Sequence, residues 1–163
     1  AEVARAETVQ WRYLDGMIRI ASTDWTGAKE TLERALALEP DHLPSLAAYG
    51  EVLFHSGRRQ EALQVFDSVL LHMPWSITAH ALSGLILLES RRFTDAYPHL
   101  EIVNRMVSDD PWSYYHLMEC LSNMPGRSRD RDGVERAMRA RFRESELPME
   151  LRERLRSGEI GDD

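Results

Sequence analysis

His116 and Cys120 are the pair in this sequence best spaced for chemistry. Four residues apart on a helix they share a face, so both could reach one metal ion or act as a histidine–thiol pair. A structural zinc takes four ligands, however, and no second pair stands at comparable spacing. Cys120 is the sole cysteine, and His42, His55, His72, His80 and His99 are scattered. A nucleophilic cysteine would also need an orienting third group and an oxyanion hole, which no segment supplies. A half-buried thiol beside a histidine is the favoured reading. There is no glycine-rich phosphate loop, and Asp109 and Asp110 read as the cap of a helix that starts at Pro111. The sequence points to no catalysis, no metal and no cofactor.

Binding is the other chemistry open to such a chain. Twenty basic residues stand against 27 acidic ones, a net charge of −7, which disfavours nucleic acid and anionic membranes as partners. Seven arginines between Arg127 and Arg143, against Asp130, Asp132 and Glu135, make one basic stretch. It could meet an acidic protein, nucleic acid or the acidic face of another copy. The interleaved acids, and Phe142 as the only aromatic, favour a solvated helix face instead. No apolar run approaches the ~20 residues that span a bilayer; the longest, Ala81–Leu88, is broken by Ser83 and Gly84. With no signal peptide visible, the expectation is no membrane insertion and a cytoplasmic location, with a periplasmic one as the alternative. One cysteine excludes an internal disulfide framework. The chain opens on Ala1 rather than Met, which reads as a processed or trimmed form.

The elements that would position a binding surface follow from a repeat. Ala28, Ala62 and Ala96 are 34 residues apart, as are Pro40 and Pro74, and Gly50 and Gly84. A 34-residue self-similarity marks stacked helix–turn–helix units, which bury their apolar faces only against one another. In the unit from Leu43, residues Leu46, Tyr49, Gly50 and Leu53 fall on one face of a first helix, and Ala62, Phe66 and Val69 on one face of a second. Small residues at 50 and 62 let the two helices cross closely. The first unit looks degenerate, with Asp15 at the small-residue position and a turn before Trp25 about one residue longer. Met118 breaks the pattern in the fourth. The polar stretch 123–133 reads as a long loop, with a helix at 134–143 and a last short helix closed by Gly158. Pro98 implies a late start or a kink in its helix.

The pattern Tyr49-Gly50…Leu53…Ala62…Phe66…Pro74, repeated as Gly84…Leu87…Phe93…Ala96…Leu100, resembles the tetratricopeptide repeat (TPR) family. The resemblance implies an all-α fold, a right-handed α-solenoid of about three to four hairpins (8–40, 43–74, 77–108, 111–145) with a capping helix at 147–157. It implies a protein-binding role as adaptor, scaffold or assembly chaperone, with an extended or amphipathic segment of another protein held in a concave groove lined by the first helices. Carried over residue by residue, the groove positions are Glu51, Phe54 and His55; Leu85, Leu88 and Glu89; and Trp112, Tyr115, Glu119 and Asn123. Phe54, Leu88, Trp112 and Tyr115 would be anchors, and Glu51, Glu89 and Glu119 would select a basic or neutral partner.

The stretch from Tyr49 to Asn123, through Gly57…Glu61-Ala62-Leu63…Phe66 and His116-Leu117-Met118-Glu119-Cys120-Leu121, also resembles bacterial type III secretion chaperones of the TPR class, which implies a chaperone for secreted translocator proteins as the alternative function. Two further readings are a regulatory domain of a larger enzyme or signalling protein, and a self-assembling scaffold joined through Trp11, Leu14 and Ile18.

Overall fold

A computed structural model describes residues 2–157, without the side chains of residues 2 and 5–7. Gly158, expected to close the last helix, and the polar tail after it lie outside the described residues, as does Ala1. The described residues form nine α-helices: α1 (Glu2–Ala21), α2 (Trp25–Leu38), α3 (Leu43–His55), α4 (Arg59–His72), α5 (Ile77–Glu89), α6 (Phe93–Met106), α7 (Pro111–Ser122), α8 (Ser128–Arg141) and α9 (Met149–Ser157). A 3-10 turn at Glu144–Glu146 precedes α9. The chain forms two compact units, divided in sequence between Ser83 and Gly84.

The 34-residue step is kept in three dimensions. A Cβ added to Gly16, Gly50 or Gly84 would stand 2.8, 2.5 and 2.7 Å from side-chain atoms of Leu32, Phe66 and Leu100. Three glycines in register thus meet three large residues in register, and a methyl group is the most the crossing could hold only if the buried partner moved. The turns repeat as well. Thr23, Gly57 and Arg91 have φ of +58°, +77° and +57°. After each, the amide of Asp24, Arg58 or Arg92 donates five residues back to the carbonyl of Arg19, Leu53 or Leu87, at 2.9, 2.9 and 2.8 Å. That left-handed closure satisfies helix-end carbonyls.

These facts correct the reading of the first hairpin, α1–α2. Gly16, not Asp15, fills the small-residue position, and the turn before Trp25 has the same length as its successors. Asp15 instead pairs with Arg19 at 3.1 Å and accepts the Thr31 hydroxyl at 3.2 Å. α1 also begins at Glu2 rather than near residue 8. In the first unit Ile20, Ala28, Leu32, Ala48 and Val52 form one buried cluster, against which Tyr13, Trp25 and Tyr49 pack. Burying a side chain such as Phe66 fully stabilises by roughly 1.5–3 kcal/mol.

The α7–α8 hairpin of the second unit departs from the repeat. Met118 occupies the glycine position and is buried against Tyr114 and Met138, with Val134 packed alongside. The expected loop 123–133 is shorter than its composition suggests, because α8 starts at Ser128. Asp130 sits in its first turn and pairs with Arg127 at 2.5 Å, a favourable charge near a helix N-terminus. The Arg127 guanidinium lies 4.5 Å from the centre of the Tyr97 ring. α6 runs from Phe93 straight through the exposed Pro98, so that helix does not start late. Asp110 caps α7 as expected, accepting the Trp112 amide at 3.1 Å, with Pro111 in the first turn.

Candidate functional site

In the first unit, the C-terminal end of α3 presents the expected residues together. The His55 ring stacks on Trp25 at 4.1 Å with 16° between planes, and Phe54 meets His55 edge-on at 5.1 Å. Arg59, at the start of α4, holds its guanidinium 5.2 Å from the Phe54 ring centre. Phe54 is half-buried and His55 is exposed. Glu51, one turn earlier, is half-buried, and burial pushes its carboxyl above the ordinary range while His55 pulls it back. The result is an aromatic edge with a cation on one side and an acid on the other. Trp25 and Arg59 were missed as members of this group. The signal was present, since both open a second helix, 34 residues apart.

In the second unit the expected positions are divided. Glu89 and Asn123 are exposed, and Leu85 and Glu119 half-buried. The Asn123 amide nitrogen donates to the Glu119 carbonyl at 2.9 Å, and Glu119 lies 3.8 Å from His116. Leu88, expected as an exposed anchor, is only 7% exposed. α5 (ITAHALSGLILLE) carries apolar residues on nearly every side, and Ile86, Leu87 and Leu88 near its end are all buried. Tyr115, also expected as an open anchor, is 2% exposed and packs against Leu147 and Leu151, with Trp112 half-buried beside it. Arg154 of α9 stands 5.7 Å from the Trp112 ring centre and 5.6 Å from that of Tyr115. The last helix covers these two aromatics rather than leaving them to solvent.

His116 and Cys120 are each engaged in packing contacts. Cys120 is fully buried, its thiol donates to the Phe93 carbonyl at 3.2 Å, and burial pushes its pKa up to about 11. His116 stacks over Trp112 instead, at 5.9 Å. Among the described residues no three His, Cys, Asp or Glu side chains are grouped to hold a metal ion, and no helix is long and apolar enough to cross a membrane. Trp11, Leu14 and Ile18 are exposed at 72, 41 and 65%.

The sequence model of the tetratricopeptide repeat family matches residues 19–86. No curated protein matches the chain. Among solved structures, MamA from Desulfovibrio magneticus RS-1 is 21% identical, with 84% of this chain and 77% of that one covered and a TM-score of 0.72. A MamA structure designated AMB-1 is 17% identical, covering 88% and 76% with a TM-score of 0.68. YrrB, described as a TPR protein with an unusual peptide-binding site, is 17% identical, covering 79% and 66% with a TM-score of 0.70. At such identities the likeness establishes the fold, an all-α solenoid of helical hairpins.

Proposed function

We propose that this chain, whose residues 19–86 match the tetratricopeptide repeat model, is a non-catalytic protein-binding module that takes an extended or amphipathic segment of a partner on the end of α3. The observation that carries this reading is the Trp25–His55–Phe54–Arg59 group, a packed but half-open aromatic surface beside the half-buried Glu51. Burying one apolar anchor of the partner there is worth roughly 1.5–3 kcal/mol. Aromatic anchors of this kind dominate peptide recognition when water is excluded around them. Glu51 favours a basic or neutral residue in the segment, since a second carboxylate beside it would be repelled. Leu85, Glu89, Glu119 and Asn123 are the contacts proposed for the second unit, while Leu88, Trp112 and Tyr115 serve its packing. The peptide-binding site named for YrrB is a property of that protein, and it supports this class of role.

The test is affinity purification from the native host with wild type and a Phe54→Ala, His55→Ala double variant, the bound proteins being identified by mass. The reading expects one stoichiometric partner with wild type, lost from a variant that still melts cooperatively. Equal recovery from both proteins would move the binding site off α3. Leu88→Glu or Tyr115→Ala would not serve, because each disrupts a buried position.

A further inference from the structure

Away from α3, the C-terminal end of the second unit encloses a cavity of about 290 Å³. Its floor is apolar, formed by Met138, Phe142, Leu147 and Leu155. Met138 and Leu147 are buried, and the two others half-buried. Four arginines line it as well, Arg139, Arg143, Arg152 and Arg156, against a single acid, Glu144. Arg156 holds Glu144 at 2.6 Å, and Arg139 pairs with Glu135, which is not among the lining residues, at 2.7 Å. The Nε of Arg152 is buried with no hydrogen-bond partner. A buried donor without an acceptor is uncommon and asks for an explanation. This one belongs to a residue of the cavity wall. Glu144 shows what this environment favours: its carboxyl is held below the ordinary range first by Arg156, and further by Arg152 and Arg139.

We propose that this cavity is a second binding site, which takes one large apolar side chain from an acidic segment of a partner protein. The apolar group lies on Phe142, Leu147 and Leu155, and the flanking carboxylates meet Arg143 and Arg152. The volume stands at the lower end of ligand pockets, which suits a side chain rather than a cofactor. Charge complementarity selects the acidic flanks: residues 127–157 hold ten arginines against seven acids, whereas the rest of the chain has ten basic residues against twenty acids. The basic stretch that the sequence singled out thus has a use as the rim of an apolar hole. This inference is independent of the α3 reading, because it rests on residues of the second unit alone.

The experiment is a fluorescence-anisotropy titration of the full chain with a labelled peptide, Glu-Asp-Leu-Phe-Asp-Glu. A counterpart with lysines for all four acids, and decanoate as competitor, complete the set. The acidic peptide is expected to bind saturably, more weakly as salt rises. Arg143→Glu, at an exposed position, should weaken it on the order of ten-fold; Arg152→Gln should weaken it too, and Phe54→Ala should leave it unchanged. If Arg152→Gln fails to fold by circular dichroism, Arg143→Glu decides. Absence of saturable binding, equal affinity for the lysine counterpart, or an unchanged affinity in Arg143→Glu would overturn the proposal. Decanoate binding without peptide binding would overturn it as well, by assigning the cavity to a free amphiphile.

Discussion

Glu51 shows how a single residue of the proposed site bears on stability. Its carboxyl is raised above the ordinary range by burial, with His55 opposing. The folded state therefore holds that proton more tightly than the unfolded state, and the stability so gained is lost as pH rises through the carboxylate range. Glu51→Gln removes the charge but keeps the shape. It is expected to melt higher than wild type at about pH 7 and to lose that advantage by about pH 4, as read by thermal unfolding at both values. An equal difference at the two pH values would contradict the assignment. A charge kept at a stability cost on α3 is what a site for a partner would require. That Glu51, Phe54 and His55 share the last turns of α3 was legible from repeat position alone. The burial of Tyr115 was not, because the sequence shows that a last helix forms but not which aromatics Leu147 and Leu151 cover.

Among elements, the helix crossings and turns carry the account. Gly50→Ala places a methyl group 2.5 Å from the fully buried Phe66 ring. The strain of about 1–3 kcal/mol exceeds the gain of up to ~1 kcal/mol from better helix propensity. Gly133, inside α8, has nothing within 4 Å of an added Cβ, so Gly133→Ala is expected to stabilise by about 0.5–1 kcal/mol. Denaturant unfolding of both variants checks the pair: opposite signs are expected, and a gain in both would refute the close crossing. The alanine and glycine steps made the hairpins readable. Gly16 was legible too, 34 residues before Gly50; the equal length of the turns was not, because those at Thr23 and Arg91 are left-handed without glycine. The start of α8 escaped because Ser, Asp and Gly read as loop by composition. Packing of Val134 and Met138 on Met118 and Tyr114 overrides that preference, as tertiary contacts commonly do.

At the scale of the whole molecule, the two compact units offer different surfaces. The first carries an aromatic edge with an acid, at the end of α3; the second carries an arginine-rimmed cavity between α8 and α9. A module with two such surfaces suits an adaptor or assembly role, and the partner's chemistry separates that reading from a secretion chaperone holding an apolar client. The most direct measurement is photo-cross-linking in the native host, with a benzophenone-bearing phenylalanine analogue at position 54 and, separately, at position 71. Leu71 lies on α4, a second helix, and is 80% exposed. The account predicts one dominant protein adduct from position 54 and none of that mass from position 71. An adduct from position 71 and none from position 54 would contradict it, placing the partner on the second helices instead.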